Sequence, residues 1–321
     1  MTPAGRQPPA VRAILRGDRR ALARAISWVE NGAPEAEPVL RALFARAGRA
    51  RVIGLAGPLG VGKSSLLNLL VAYLRAQGTS VGIVAVDPSS PFSGGSVLGD
   101  RVRFDRAADD DGVFFRSMAS RGAAGGVALT TREVVRLLDA AGFDVVIVET
   151  VGSGQVDIAI RDIATTRVVV LVPHLGDEVQ TLKAGLFEIA DVFCVNKSDL
   201  PGAELAERDL AELAAFGPPR DGWRPLVVRT STVTPSGIPE LWAAIDKHER
   251  FLDSSGGRAA ASRRRLAQEI VERAGHHLSA HLTERLGDDP AMVRLLDRVT
   301  ARSLDPRTAA DRLVAELLRR R

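Results

Sequence analysis

Gly57-Pro-Leu-Gly-Val-Gly-Lys-Ser64 has the residue types and spacing of a loop that wraps around phosphate. Gly57, Gly60 and Gly62 let the backbone turn tightly and aim successive N–H groups inward, with Val61 between them. Lys63 is the flexible cation that can reach β- and γ-phosphates, and the Ser64 hydroxyl is a hard oxygen donor suited to Mg²⁺. Ser65 follows it in the first helical turn. The octapeptide sits between an apolar run, Arg51–Ala56, and Leu66, Leu67, Leu70, Val71 and Leu74 at helical spacing. A buried strand and a helix N-terminus are therefore expected on either side, and the helix end adds partial positive charge where the phosphates would lie.

Two carboxylates end apolar runs of the kind central parallel strands show: Asp87 after Val81–Val86, and Glu149 after Asp144–Val148. Ligands of parallel sheets sit beyond the carboxyl ends of the strands, so both should face the phosphates. Glu149 is expected to hold Mg²⁺ or one of its waters, and Gly152 to bring a backbone N–H against the γ-phosphate. Asp87 has a plainer alternative, capping the following Pro-Ser-Ser turn.

A third run, Asp191–Val195, delivers Asn196-Lys197-Ser198-Asp199. An aspartate here can accept two hydrogen bonds from N1–H and the exocyclic amine of guanine, whereas adenine offers it only an acceptor. Asn196 suits N7, and the Lys197 stem can lie along the base. After the next apolar run, Leu226–Thr230, a backbone N–H of Ser231 or Thr232 could meet guanine O6. The spacing thus points to GTP and GDP with Mg²⁺ rather than ATP. His174 is expected to be a structural hydrogen-bonder more than a general base, and His277 and His281 solvated helix residues more than metal ligands.

The elements that would position these groups alternate strand and helix, which specifies an α/β fold with a mostly parallel sheet flanked by helices. Residues 1–48 read as an N-terminal helical extension, 49–253 as the nucleotide domain and 258–321 as a C-terminal helical arm. In the extension two helices are expected, broken at Asn31-Gly-Ala-Pro34, with Val39, Leu40, Leu43 and Phe44 on one buried face. Ser254–Gly257 reads as a flexible linker by composition. The first C-terminal helix carries Leu266, Ile270, Ala274, Leu278 and Leu282 in a stripe that needs a partner, so a homodimer is expected. The net charge of +4 is segregated, with +5 on residues 1–50, +5 on 258–321 and −6 between them. The arginines lie on helices beside Ala and Leu, as solvated faces do, which argues against nucleic-acid binding. No apolar run reaches the roughly 20 residues of a membrane span, and the N-terminus shows no secretory apolar segment. A single cysteine, Cys194, fits a reducing, cytoplasmic setting.

Five longer stretches carry a specific resemblance: Val86–Arg101 (VDPSSPFSGGSVLGDR), Met118–Gly122 with Gly125-Gly126, Glu149–Gln155 (ETVGSGQ), Gly176–Gly185 (GDEVQTLKAG) and Asn196–Asp199. Together they resemble the MeaB/ArgK family, the GTPases associated with adenosylcobalamin-dependent acyl-CoA mutases, to which the methylmalonic aciduria type A protein belongs. The resemblance implies a P-loop G domain of the SIMIBI class, which includes signal-recognition and metallochaperone GTPases, and a C-terminal dimerisation arm. It also implies Ser64, Asp87, Asp100 and Glu149 around Mg²⁺ and the attacking water. Asp177, Glu178, Gln180 and Lys183 become a switch that reports nucleotide state to the mutase. The sequence departs from the family at the proline position of the phosphate loop, at Ser65, at Ala123-Ala124 and at Ser153. Two other readings remain open at this point: a nickel-type metallochaperone GTPase of the same fold class, and an ArgK-type transport-associated kinase.

Overall fold

The structure is a computed structural model that describes residues 8–88, 110–120, 124–150, 160–173, 188–285 and 289–319. Its centre is a seven-stranded sheet built from the apolar runs: β1 (Arg51–Ala56), β2 (Val81–Pro88), β3 (Val113–Ser120), β4 (Val145–Thr150), β5 (Thr166–Leu171), β6 (Val192–Val195) and β7 (Leu226–Arg229). They lie in the order β3-β2-β4-β1-β5-β6-β7, and every described pairing is parallel. Residue 149 pairs with Leu55 on one side and Ala85 on the other. The ends of β1, β2 and β4 are therefore level, which brings the phosphate loop, Asp87 and Glu149 to one edge. The helices of this α/β unit are α1 (Pro9–Ile14), α2 (Arg19–Glu30), α3 (Ala36–Leu43), α4 (Lys63–Ala76), α5 (Ala124–Ala140), α6 (Ala203–Phe216) and α7 (Ile238–Ser254), with the start of α8 (Gly257–Arg285).

Strand alternation splits the core into two faces. Ile53, Leu55, Ile83, Ile147 and Val170 pack with Leu66 and Leu70 of α4 and Leu241 and Ile245 of α7. Val52, Val84, Val146, Val148 and Val169 face the other way, onto Leu137 and Leu138 of α5 and onto Val11, Ile14, Ile26 and Leu43 of the N-terminal helices. Leu66, Leu67, Leu70 and Leu74 have no exposed surface. Each such burial contributes about 1.5–3 kcal/mol, so the helix that begins at Lys63 is held firmly against the sheet.

The N-terminal segment forms three helices where two were expected. Gly17 adopts φ +85° and stops α1, and the Asp18 carboxylate starts α2 by accepting from the N–H groups of Arg20 (2.9 Å) and Ala21 (3.0 Å). Phe44, expected on the buried face, is 53% exposed. It falls in a 3₁₀ turn, Phe44–Arg46, that rotates it outward under the Arg136 guanidinium, 5.6 Å from its centroid. The entry into β1 is fixed by buried Asp139 of α5, which accepts from the N–H groups of Gly48, Arg49 (3.1 Å) and Ala50 (2.9 Å). The edge strand β3 is strapped to α2 through Arg116, whose guanidinium meets Glu30 and the Ser27 hydroxyl.

Ser254–Gly257, expected to be a flexible linker, is instead a tight turn. The helix α7 continues through Ser254, Gly256 turns at φ +69°, and α8 begins at Gly257. The chain divides into two compact units at Arg265/Leu266, inside α8. The second unit holds the remainder of α8 with α9 (Pro290–Thr300) and α10 (Pro306–Arg319). Asp289 caps α9, accepting from Ala291 N–H at 2.9 Å. Along α8, Ile270, Val271 and Leu278 remain 68%, 71% and 45% exposed. No described helix is long and apolar enough to cross a membrane.

Beneath the sheet, at the start of β6, Asp191 is 1% exposed and receives Arg167 Nε (2.7 Å) and Nη2 (3.0 Å) as well as Arg220. His248 stands against it at 3.4 Å, with Nδ1 2.8 Å from Thr166 Oγ1. Burial lowers the His248 pKa; the carboxylates Asp191 and Glu249 oppose this, while Arg167 and Arg220 add to it. A histidine whose folded pKa is depressed binds its proton more readily when unfolded. The contribution of His248 to stability is therefore present above the ordinary histidine value near 6.5 and is lost as pH falls below it. Melting temperature should drop between pH 7 and 5, and less steeply for His248→Asn. Parallel slopes for the two proteins would show that His248 is not involved.

Candidate nucleotide site

The phosphate loop leaves β1 at Gly57, whose φ of +143° and close neighbour both require glycine. A Cβ there would stand 2.3 Å from Val170 O of β5. Gly60 and Gly62 are also left-handed, at +78° and +91°. Lys63 is 6% exposed, and its ammonium donates to the carbonyls of Gly57 (2.6 Å) and Pro58 (2.8 Å). The loop is thus shaped around the lysine head, which arriving phosphate oxygens would engage in place of those carbonyls. Val61 is buried, Ser64 half-buried and Ser65 exposed.

Ser64 Oγ donates to Glu149 Oε1 at 2.6 Å. Glu149 is only 7% exposed at the end of β4, and the Thr150 hydroxyl beside it donates to Leu55 O at 3.3 Å. A serine hydroxyl and a buried carboxylate oxygen in contact beside the phosphate loop are both hard donors, and this pair fits Mg²⁺. The Asp87 backbone is placed in β2, opposite Ala119. Its side chain, and all of Asp100, Gly152, His174, Asp177, Glu178, Gln180 and Lys183, lie outside the described residues.

The Asn196–Asp199 segment is tied to the same loop. Asn196 has no exposed surface; its Nδ2 donates to Val61 O at 2.8 Å and its Oδ1 accepts from Thr230 Oγ1 at 3.1 Å. Lys197 takes a left-handed φ of 56°, which sends its ammonium to Gly60 O at 2.8 Å. Asp199 is exposed, and one of its oxygens accepts the hydroxyl of Ser231, a residue only 1% exposed. A backbone N–H of Ser231 or Thr232 was expected to face the base; the Ser231 N–H is taken by Ser236 O at 3.2 Å. Motif reading missed Thr230, which orients Asn196, and the hydroxyl of Ser231, which bonds Asp199. Their only signal was two hydroxyl residues at the end of the strand after Asp199.

Cys194 lies at the centre of β6 with no exposed surface, 3.1 Å from Thr230 Oγ1, and burial pushes its thiol up to about 12. A buried neutral thiol is a poor metal ligand, and the described residues hold no cluster of three His, Cys, Asp or Glu that could bind a metal. His277 and His281 are exposed on α8.

The sequence profile of the family described as methylmalonyl-CoA mutase-associated GTPase MeaB matches residues 22–286. A Pyrococcus abyssi protein whose name assigns it as a GTPase is 43% identical over 95% of both chains. The mitochondrial methylmalonic aciduria type A homolog of Mus musculus is 31% identical, over 94% of this chain and 77% of that protein. GTPase ArgK of Escherichia coli is 32% identical over 94% of both. Among solved structures, a LAO/AO transport system kinase superposes with a TM-score of 0.73 at 26% identity, covering 96% of each chain.

Removing the Ser231 hydroxyl should free the Asp199 carboxylate to rotate. A hydrogen bond to a charged group contributes about 1.5–3 kcal/mol, so Ser231→Ala should weaken guanosine diphosphate by at least tenfold. Adenosine diphosphate, which cannot use Asp199, should bind weakly and equally to both proteins. Calorimetric titration measures all four affinities, and equal affinity of the native chain for the two nucleotides would refute guanine reading.

Proposed function

The chain belongs to the MeaB family of methylmalonyl-CoA mutase-associated GTPases, and from that membership we propose that it hydrolyses GTP to gate an adenosylcobalamin-dependent acyl-CoA mutase. The observation that carries the reading is the coupling of three groups: an oriented Asp199, a glycine loop closed on Lys63, and Asn196 bonded to Val61 between them. Guanine and triphosphate would be read by one connected unit. The fine roles are these. Backbone N–H groups of 57–62 and the Lys63 ammonium hold the β- and γ-phosphates. Asp199 accepts from N1–H and N2–H₂ of guanine, and the Lys197 stem, stretched toward Gly60, lies along the base. Ser64 and Glu149, with Asp87 and Asp100, would hold Mg²⁺ and the attacking water, and the metal would supply positive charge against that developing on the phosphates.

Hydrolysis is expected to be slow in the isolated chain, with Arg101 or Arg121 as the cation a partner would bring to the transition state. Residues 176–185 are the proposed relay to the mutase. Support for the mutase as partner comes from the family description and from the methylmalonic aciduria type A homolog. The setting proposed is cytoplasmic.

Adding a cobalamin-dependent acyl-CoA mutase from the same genome should raise the GTP hydrolysis rate severalfold. Lys183→Ala should lose that stimulation and keep its affinity for guanosine diphosphate. If no such mutase changes the rate or co-purifies in any nucleotide state, the chaperone role fails and nucleotide hydrolysis alone stands.

A homodimer built on α8 is also proposed, because Ile270, Val271 and Leu278 leave an apolar stripe open in the single chain. Truncation at Gly256 would be a poor test, since it removes Arg258, which pairs with buried Glu249 at 2.7 Å, and Arg265, which donates to Ala164 O at 3.2 Å. Ile270→Asp with Val271→Asp avoids this. Light scattering should report a dimer for the native chain and a monomer for the variant, and an unchanged mass would remove α8 from the interface.

A further inference from the structure

The nucleotide groups lie at the carboxyl end of β6. Near its other end is a cavity of about 450 Å³, in the range that small-molecule sites occupy. Phe193, Leu213, Ala214 and Trp223 supply apolar wall, Arg220 the cation and Glu188 the rim. Trp223 is itself fixed, donating from Nε1 to Asp191 O at 3.0 Å and standing 4.8 Å from the His248 ring.

The charges around the cavity are unbalanced. Arg220 Nη1 donates to Glu188 O (2.6 Å) and Nη2 to Ala190 O (3.3 Å) and to the Asp191 carboxylate. That leaves the Nε–H and one Nη1 hydrogen of its five donors. Asp191 must also serve Arg167, so two guanidinium groups share one buried carboxylate. The other carboxylates near Arg220 are Glu188 at the rim and Asp221, which pairs with Arg264 at 2.9 Å; both are exposed, so solvent screens their charge.

An apolar wall rejects a bare, strongly hydrated anion such as phosphate, and the surplus guanidinium rejects a cation. We propose that this cavity is a second ligand site, separate from the nucleotide, for a small apolar molecule bearing one carboxylate. The carboxylate would accept from one of the remaining donors of Arg220, and the apolar body would lie against Phe193 and Trp223. Because the site opens beside the start of β6 and the nucleotide groups follow its end, both ligands can be bound together.

The test uses the full chain with 1-naphthaleneacetate, its neutral amide and 1-naphthylmethylamine as probes, by calorimetry in saturating guanosine diphosphate. The carboxylate should bind saturably with one site per chain, at least tenfold more tightly than the amide, and the amine should not bind. Ala214→Phe, which fills the cavity from α6, should lose the carboxylate at least tenfold while keeping native affinity for guanosine diphosphate. The proposal is overturned by absence of saturable binding, by equal affinity for the three probes, by competition with the nucleotide, or by unaltered binding to Ala214→Phe. It is also overturned if no probe binds and Ala214→Phe instead abolishes self-association, since the cavity would then receive a second copy, whose Phe216 is 86% exposed.

Discussion

Residue 62 has no room for a side chain, and much of the nucleotide site depends on that. A Cβ there would lie 2.6 Å from Asn196 Nδ2, inside any van der Waals contact. The close approach lets the asparagine amide reach Val61 O, and the neighbouring Lys197 ammonium reach Gly60 O. Sheet order makes this possible. β5 lies between β1 and β6, so the loops leaving β1 and β6 emerge one strand apart, and the Val170 carbonyl of β5 sets the path of Gly57. The phosphate loop and the Asn196–Asp199 segment are consequently fixed to each other as well as to the sheet. A ligand that spans both gains from geometry already set before it binds.

The same logic holds on the other side of the loop. Register pairs Leu55 with residue 149, so a carboxylate at the end of β4 meets the first helical turn after β1. A buried polar group needs hydrogen bonds, and Ser64 supplies one of them to Glu149, which is 7% exposed. The pairing makes the two oxygens available together. Lys63, on the same turn, donates to the carbonyls of Gly57 and Pro58, which places its positive charge inside the loop.

Much of this was legible in the sequence because it depends on local patterns. Apolar runs marked β1, β2, β4, β6 and β7 to within a few residues, since a strand packed in a parallel sheet has little choice of residue type. The glycine spacing and the Asn196–Asp199 segment marked both halves of the site. What escaped was set by distant partners. The helix α6 passed unnoticed because it buries little beyond Ala203 and Leu210. Gly17 and Asp18 divide the N-terminal segment by a cap and a left-handed turn, which periodicity does not register. Ser231 gained its role only when the β7 end was folded against Asp199, and its own N–H was diverted by Ser236 across an isolated bridge. Phe44 looked buried by spacing, and a single 3₁₀ turn moved it off the face.

β6 has four residues, and both of its ends are cross-linked. Asp191 precedes it, holding Arg167 and Arg220, with Trp223 bonded to its carbonyl. Asn196 follows it, bonded to Val61 and Thr230. Between them Cys194 and Phe193 are fully packed, 0% and 2% exposed. A strand rising about 3.3 Å per residue spans only some 13 Å here, too short to bend internally without breaking its parallel ladders to β5 and β7. Its position is therefore set at its termini. The Asp191 cluster and the Asn196 contacts thus anchor opposite ends of one short, packed segment. Two guanidinium groups on one carboxylate would be a poor choice for stability alone, where an apolar replacement packs as well without desolvating charge. What the two pairs do is tie β5 and the Arg220–Trp223 turn to the start of β6, the strand whose other end carries Asn196 against the phosphate loop.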